Sequence, residues 1–437
     1  MIYCAPMNGS DSGGDPDRPD LRRARVAWCF YDWANSAFPT VIVTFVFSAY
    51  FATAVQTDRT VGTAEWSRAL ALSGLAIAIL SPVFGAIADR TGRRKPWIAV
   101  CSATAVAAAA LLWFVKPDPS WALFALVVFA VGNVGFEIGQ VFYNAMLPTL
   151  ASGQRIGRLS GWGWGLGYAG GLACLVIALF GFVQADPPPF GLDRHMAEHV
   201  RIVGPMVALW FGLFCLPLFL FVPDGGGGTV DGVDAARRGI ATLFDTLTRV
   251  RDYRTIAWFL CARIFYVDGM NTMFAFGGIY AAGTFGMSIA EVIQFGIALN
   301  VTAGIGAAGF AWIDDRIGSK RTIVIALCGL IGFGVPLLLA ESKTAFWLIG
   351  VPLGLFMGPG QAASRSLMGR LAPASVRNEM FGLFAFSGKA TAFAGPLVLG
   401  IVTEATRSQR AGMATIVVFL AAGLALLVWK VREESPV

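Results

Sequence analysis

The chain has 437 residues, of which 56% are hydrophobic and only 14% are charged. Soluble globular proteins carry about 25% charged residues, so this composition excludes an ordinary soluble domain. The net charge of +6 does not indicate nucleic-acid binding, because the positive residues are distributed between long apolar runs.

Twelve apolar runs follow one another along the chain, each long enough for the ~20 residues that a spanning helix needs. Backbone groups in lipid find partners only inside a helix or a closed barrel, and the alternating pattern of a barrel is missing. The sequence therefore predicts an all-α integral membrane protein with twelve transmembrane helices. The predicted spans are 24–52, 66–88, 97–115, 121–147, 160–184, 203–222, 255–282, 289–313, 322–340, 345–369, 379–402 and 411–430.

Composition divides the chain into five predicted segments. The start is rich in Gly, Pro and Asp and lacks an apolar core before a small-residue cleavage site, which predicts a disordered tail and not a signal peptide. Four glycines from Gly225 to Gly228 predict a flexible joint, followed by a candidate amphipathic helix. The predicted segments are a cytoplasmic tail (1–21), a first six-helix bundle (22–222), a cytoplasmic linker with the amphipathic helix (223–254), a second six-helix bundle (255–430) and a second cytoplasmic tail (431–437).

Positive charge differs between the two sides of the predicted membrane. With the N-terminus inside, 22 Lys and Arg residues fall in the inner loops and tails, and 8 fall in the outer loops. Cytoplasmic loops of membrane proteins carry the excess of Lys and Arg. Both termini are therefore predicted to be cytoplasmic, which agrees with an even number of spans.

The first predicted span carries polar residues where lipid is expected, and the seventh span repeats them. Asp32, Asn35 and Ser36 share one helix face at spacings i, i+3 and i+4, and the stretch DGMNTMF repeats this pattern with Asp268 and Asn271. Polar residues in spans usually face the bundle interior or a wet cavity. Both stripes are predicted to line a central cavity, and interhelical hydrogen bonding is the alternative.

A loop sequence after the second span also occurs in the second half. The octapeptide ADRTGRRK ends at Lys95, and DDRIGSKR ends at Arg321. Together with the two polar stripes, this match indicates two six-helix halves related by an axis along the membrane normal. Parallel repeats of this kind are a transporter architecture.

The stretch GAIADRTGRRK resembles the motif between helices 2 and 3 of the major facilitator superfamily, and WIDDRIGSKR resembles a weaker second copy. Within that superfamily, YDWANSAF, FYNAMLP and GQAASRSLMGRLAP resemble the branch of the vacuolar amino-acid effluxer of autophagy and its bacterial relatives. The resemblance covers residues 22–430 and implies a multi-pass transporter of the bacterial inner membrane. It also implies that the two loops latch the halves together at the cytoplasmic surface. The residues of this implied gate are Asp89, Arg90, Gly92, Arg93, Asp315, Arg316 and Gly318.

Ionisable residues inside the spans supply candidates for solute and proton binding. A fixed cation suits a carboxylate, so Arg365 and Lys389 are candidates for solute binding. Asp32, Glu137 and Asp268 are candidates for a coupling proton. Internal salt bridges among these groups are the alternative. The complete set of substrate and coupling candidates is Asp32, Asn35, Ser36, Glu137, Asn144, Arg263, Asp268, Asn271, Arg365 and Lys389.

Residues that other chemistries need are scarce. The two histidines, His195 and His199, lie in one outer loop, six of the seven cysteines are scattered through apolar runs, and no Walker motif is present. The sequence predicts no catalytic residue, metal or cofactor, and therefore no enzyme.

The predicted function is secondary transport or efflux of a small polar solute by alternating access. Amino acids are the expected solutes by resemblance, and protons are the candidate coupling ions. The alternatives are a facilitator for sugars, drugs or other metabolites, and a lipid-handling or non-transporting membrane protein. The expected partners are a small-molecule substrate, membrane lipid and protons, without nucleic acid, and the expected state is a monomer.

Overall fold

A computed structural model describes residues 19–151, 155–224, 253–287 and 289–432. Every regular element in these ranges is a helix, and they contain no strand. The predicted all-α fold, with twelve spanning helices in two bundles, is confirmed. The predicted tail before residue 19 and the predicted amphipathic linker helix within 225–252 lie outside the described residues.

The first bundle contains six long helices, of which the first is the least regular. Helix α1 begins at Pro19 and is α-helical to Asn35 (Pro19–Asn35). It continues through the π-helical segments Phe38–Phe45 and Phe51–Val55, which flank the short helix Phe47–Tyr50. The other helices are α2 (Arg59–Thr91), α3 (Lys95–Leu111), α4 (Ala122–Leu150), α5 (Ile156–Ala178) and α6 (Val203–Phe221).

The second bundle contains the other six helices, and α11 is interrupted. Its first part, α11a (Arg377–Lys389), is separated by four residues in turns from its second part, α11b (Ala394–Thr406). The remaining helices are α7 (Arg254–Phe285), α8 (Ile289–Ile317), α9 (Ser319–Leu339), α10 (Lys343–Leu371) and α12 (Gln409–Lys430).

Shorter helical turns occupy the loops. The 3₁₀ turns are Leu112–Phe114, Pro119–Trp121, Pro189–Gly191 and Ala374–Val376. A π-helical turn, Leu179–Val183, extends α5, and a one-turn helix, Glu198–Arg201, precedes α6.

Eleven helical segments of the described residues are long and apolar enough to cross a membrane. The twelfth, α7, has 32 residues and is less apolar because Arg254, Arg263 and Asp268 interrupt its hydrophobic sequence. Charged residues inside a span are costly unless they face protein or water. The charged residues of α7 are therefore expected to face protein or water and to have a functional role.

Proline accounts for the two irregular helices. Pro39 lies in the first turn of the π-helical segment of α1, and Pro396 follows the interruption of α11. Proline lacks an N–H and its ring clashes with the carbonyl one turn earlier, which favours a local departure from regular α winding, although α4 and α10 continue past internal prolines. In α1 the chain winds more widely instead, and the Val46 N–H bonds to the Val41 carbonyl, five residues back, at 3.0 Å.

The two bundles meet most extensively through two pairs of helices, α2 with α11a and α5 with α8. Glycines allow the first pair to approach closely. A Cβ on Gly85 would meet the backbone of Asn378, and a Cβ on Gly382 would meet the backbone of Ser81 and Pro82. Backbone therefore contacts backbone at this interface, as in other tightly packed membrane helices.

Candidate functional site

A cavity of about 430 Å³ lies between the two bundles. Three helices of each bundle line it, namely α1, α4 and α5 on one side and α7, α10 and α11a on the other. Of the ten predicted substrate and coupling candidates, nine line this cavity. These are Asp32, Asn35, Ser36, Glu137, Asn144, Arg263, Asn271, Arg365 and Lys389.

Arg365 connects the bundles at one end of the cavity. Its guanidinium is 3% exposed and donates from Nη1 to Asp32 Oδ2 at 2.9 Å. It also donates to the Ser160 hydroxyl (Nε, 2.9 Å) and the Ser160 carbonyl (Nη2, 2.6 Å), and more weakly to Asn144 Oδ1 (Nη1, 3.3 Å). A planar guanidinium can satisfy acceptors in several directions at once, so this one side chain binds α1, α4 and α5 together.

Aromatic rings surround the same guanidinium. Its Cζ lies 4.8 Å from the ring centroid of Trp28, 5.7 Å from that of Trp164 and 5.8 Å from that of Tyr143. Trp28 and Tyr143 stack at 4.4 Å and exchange hydrogen bonds with each other's carbonyls. The negative faces of aromatic rings attract cations, so this part of the first bundle is built to hold a positive charge.

Lys389 and Glu137 form a second ion pair between the bundles, inside the cavity. The Lys389 Nζ and Glu137 Oε1 atoms are 2.6 Å apart, and the two side chains are 31% and 22% exposed. The Arg365–Asp32 pair also borders the cavity but is more deeply buried, whereas this pair is more accessible from the cavity. A solute in the cavity can therefore contact both of its charges.

Arg263 is fixed within the second bundle. Its Nη1 donates to the Phe384 carbonyl at 2.6 Å and to the Ser387 hydroxyl at 2.7 Å. The guanidinium also lies 3.5 Å from the centroid of the Phe384 ring. Arg263 thus contributes positive charge to the cavity wall from a fixed position.

Asp268 differs from the other candidates because it does not line the cavity. Its Oδ2 accepts a hydrogen bond from the Gly395 N–H at 2.8 Å, at the start of α11b. Asn271, three residues later, does line the cavity. The predicted stripe on α7 is therefore divided, because residues three apart on a helix differ by about 60° in direction and only Asn271 points between the bundles.

Asp89 joins the bundles at the end of the molecule where α2 ends, here named the gate end. Its Oδ1 accepts from the Asn378 backbone N–H (3.0 Å) and side-chain amide (2.6 Å), and its Oδ2 accepts from the Glu379 N–H (2.8 Å). The backbone N–H groups of Asn378 and Glu379 belong to the first turn of α11a, where the helix itself supplies no acceptor. A carboxylate stabilises such a helix start through both the hydrogen bonds and the helix dipole.

Asp315 makes the equivalent contact from the second bundle to the first. It accepts hydrogen bonds from the Gly157 N–H (2.8 Å) and the Arg158 N–H (3.2 Å), in the first turn of α5. The Arg158 side chain adds a further bond from Nε at 2.8 Å. Each bundle therefore caps the start of a helix that belongs to the other bundle.

The other predicted gate residues have different places. Gly92 and Gly318 have φ values of +67° and +92°, a region that favours glycine, and both lie in the turns that follow the capping aspartates. Arg93 and Arg316 are exposed. The side chain of Arg90 lies outside the described part of the chain.

Several functional contacts come from residues that the sequence did not single out. Ser160 and Asn378 supply neutral hydrogen-bonding groups, which carry no signal as strong as a charge in a membrane span. Arg94 donates from Nε to Asn378 Oδ1 at 2.9 Å, and its burial lowers the pKa of its guanidinium, with a smaller effect from Arg377. The contact of Trp28 with the guanidinium could not be recognised in the sequence, because the spans contain many aromatic residues.

Comparison with known proteins identifies the family. A family model described as "Vacuole effluxer Atg22 like" matches residues 64–435. The chain belongs to the Atg22-like vacuole effluxer family. The Atg22-like chain is 26% identical to the uncharacterized transporter YxiO of Bacillus subtilis, of the major facilitator type, over 94% of this chain and 95% of that protein. It is 23% identical to autophagy-related protein 22 of Cryptococcus neoformans over 62% of this chain, which spans about half (49%) of the fungal protein.

Solved structures agree with this assignment at the level of the fold. The proton:xylose symporter XylE matches 94% of this chain with a TM-score of 0.74 and 13% identity, over 96% of its own length. FucP in its outward conformation matches 95% of this chain with a TM-score of 0.72 and 15% identity, over its whole length. The Atg22-like chain is therefore a multi-pass membrane transporter of the major facilitator type.

Proposed function

We propose that this protein exports a small zwitterionic solute, with amino acids as the main candidates, through the cavity between its bundles. The observation that carries the proposal is the Lys389–Glu137 ion pair, which crosses the cavity and is partly exposed within it. The family takes its description from a vacuole effluxer, and the relative YxiO is a transporter of the major facilitator type, which supports the same class of function.

A zwitterion matches this pair charge for charge. The Lys389 ammonium would bind the carboxylate of the solute, and the Glu137 carboxylate would bind its ammonium. Both hydrogen bonds are charge-assisted, the stronger class of protein hydrogen bond. A solute with one charge would leave the other member of the pair without a partner, which costs about 1–3 kcal/mol for a buried group.

The contacts at the gate end support alternating access. Asp89 and Asp315 hold the bundles together there, beyond the cavity floor formed by Arg365. Rocking the bundles apart at the gate end requires both caps to release their helix starts. We place this end at the cytoplasm because the excess of Lys and Arg lies on this side, and we place the protein in the bacterial inner membrane because its relative YxiO, matched over 94% of this chain, is bacterial.

The decisive experiment is transport by the purified full-length protein in proteoliposomes. A panel of radiolabelled amino acids, with xylose as a neutral sugar, is tested with and without a pH gradient. We expect transport of at least one amino acid and none of the sugar. Transport of the sugar alone, or of no solute, would contradict the proposal. Comparison with and without the pH gradient shows whether protons or the solute's own gradient drive transport.

A matched pair of variants tests the role of Lys389. Lys389→Ala removes the cavity pair, whereas Lys343→Ala removes another Lys–Glu pair, Lys343 with Glu291, at 3.0 Å on the surface. We expect Lys389→Ala to lower amino-acid affinity and Lys343→Ala to leave it unchanged. Equal effects of the two substitutions would rule out specific binding at Lys389.

A further inference from the structure

The second bundle encloses polar groups apart from the cavity, where α7 passes the interruption of α11. Asp268 is 3% exposed, and Thr272, one turn later, is 1% exposed. Asp268 Oδ2 bonds to the Gly395 N–H, but Asp268 Oδ1 and Thr272 Oγ1 have no hydrogen-bond partner among the described residues. Both of these oxygens face Gly395, because a Cβ added to this glycine would contact each of them.

The charged groups of the cavity do not neutralise this carboxylate. Lys389 on α11a pairs with Glu137, and Arg365 on α10 pairs with Asp32. Arg263 on α7 donates to Phe384 and Ser387 within the second bundle. Asp268 itself forms no ion pair with any described residue.

Other titratable groups on the helices around Asp268 lie away from it. The Tyr266 hydroxyl on α7 bonds to Ser364, and on α12 the residues packed against neighbouring Gly269 are the apolar Phe419 and Leu420. The remaining charged groups occupy the end regions of α7, α8, α10, α11a, α11b and α12, namely Arg254, Glu291, Asp314, Asp315, Arg316, Lys343, Arg370, Arg377, Glu379, Glu404, Arg410 and Lys430.

Two opposing effects act on the Asp268 carboxyl group. The start of α11b favours a negative charge, but a helix end supplies only a small stabilisation. Burying an ionised carboxylate without a cation costs more than that, and such groups commonly become neutral by taking up a proton. The unpartnered Oδ1 is the atom that can take the proton, and the unpartnered Thr272 Oγ1 can then accept its hydrogen bond.

We propose that Asp268, with Thr272 and the start of α11b, is a proton-binding site, and that its proton controls the geometry of the interruption in α11. The coupling of this proton to transport rests on the proposed function, whereas its binding does not. On protonation the bond from the Gly395 N–H loses its charge assistance, which roughly halves the strength of such a bond.

The interruption connects this site to the cavity. Only the four residues 390–393 separate Lys389 at the end of α11a from the start of α11b. A weaker or stronger bond to Gly395 therefore acts six residues along the chain from Lys389 of the cavity ion pair. The interruption is a physical element that both the proton and the solute can bias, as coupling between two sites requires.

Infrared difference spectroscopy on the purified full-length protein, without solute, tests proton binding directly. Spectra between low and high pH are expected to show a carboxylic-acid C=O band that disappears as the pH rises. Asp268→Asn should lose the component of this band that Asp268 contributes, and Glu404→Gln, which changes an exposed carboxylate on α11b, should keep that component. A band of unchanged shape and intensity in Asp268→Asn, or no band in the wild type, would overturn the proposal.

Measurements in Na⁺ and K⁺ buffers separate a proton site from a sodium site. The pH at which the band disappears should be the same in both buffers. Displacement of the band by Na⁺ alone would assign the site to Na⁺ and overturn the proton assignment.

Hydrogen exchange of the wild-type protein tests the link to α11 and needs no variant. The peptide covering residues 390–397, corrected for the intrinsic effect of pH, should change its protection at the pH where the infrared band disappears. A peptide from α5 should not change. Unchanged protection of 390–397 would refute control of the interruption by this proton.

The two proposals fail in different ways. A band in a protein that transports no solute would contradict the transport function and leave the proton site in place. Amino-acid transport by a protein that lacks the band would contradict the proton site alone.

Discussion

Arg365 of the second bundle donates to Asp32 of the first bundle across 2.9 Å, in a position that is almost fully buried. The same guanidinium donates to both the hydroxyl and the carbonyl of Ser160. Arg365 therefore connects α10 of the second bundle to α1 and α5 of the first bundle at one end of the cavity.

Breaking the Arg365–Asp32 pair should destabilise this arrangement strongly. Removal of one member of a buried ion pair typically costs about 3–5 kcal/mol, because the other charge loses its partner. We expect Arg365→Gln and Asp32→Asn each to lower the melting temperature of the detergent-purified protein. The double variant should be less destabilised than the sum of the single effects, and simple additivity would show that the pair does not act as a unit.

Arg365→Lys tests the geometry of the guanidinium and not its charge. A lysine keeps the positive charge but cannot reach Asp32, Asn144 and both Ser160 acceptors in one plane. We expect the lysine variant to remain clearly below the wild type in melting temperature and in transport. Full activity of this variant would mean that charge alone is required.

Asp89→Ala should loosen the start of α11a. Loss of a helix cap costs about 0.5–2 kcal/mol. A change of about 1.4 kcal/mol alters the equilibrium between the closed and open helix start about tenfold. We expect several-fold faster hydrogen exchange of the peptide that begins at Arg377, with Arg93→Ala as the exposed control from the same loop. Equal exchange in the two variants would argue against a cap that depends on Asp89.

Two glycine-to-alanine substitutions should have opposite effects on the stability of the protein. Gly382→Ala places a methyl group against the backbone of Ser81 and Pro82, whereas a Cβ on Gly400 meets nothing within 4 Å. We expect Gly382→Ala to force the bundles apart at the gate end and to lower the melting temperature. Gly400→Ala should stabilise its helix by about 0.5–1 kcal/mol, and a similar loss in both variants would contradict close contact at Gly382.

Exchange of the cavity charges tests the zwitterion model. Glu137→Lys and Lys389→Glu alone each place two like charges together, and each should lower amino-acid affinity by roughly tenfold or more. The double exchange restores an ion pair in the opposite orientation and should recover part of the affinity. The measurement is competition for uptake in proteoliposomes, and failure of the double variant to exceed the single ones would refute pairwise binding.

The fold could be predicted from the sequence because lipid leaves few choices. Apolar runs of sufficient length must become helices, and α3, α4 and α6 begin and end within four residues of the predicted spans, whereas α2 begins seven residues earlier than predicted. The π-helical winding of α1 around Pro39 could not be predicted, because a proline inside a helical run does not reveal how the chain continues. Gly395 and Pro396 mark the region where α11 is interrupted.

The candidate site was predictable where it depends on charge. Charged groups in spans are rare and costly, so Asp32, Glu137, Arg365 and Lys389 stood out in the sequence. Their pairing was not predictable, because it depends on the relative rotation of helices from different bundles. Asp268 shows the same limit, since its position in the sequence matches Asp32 but packing directs it toward α11b and not into the cavity.

The backbone contact of Gly85 and Gly382 has a thermodynamic consequence for the conformational cycle. At these two positions the surfaces that separate are peptide groups. Apolar exposure raises the heat capacity and polar exposure lowers it, so separation at these glycines should offset part of the heat-capacity increase that exposed apolar side chains of the same helices produce. The balance between the two orientations of the carrier should accordingly follow a less curved van 't Hoff line than that of a carrier whose bundles part only through apolar side chains.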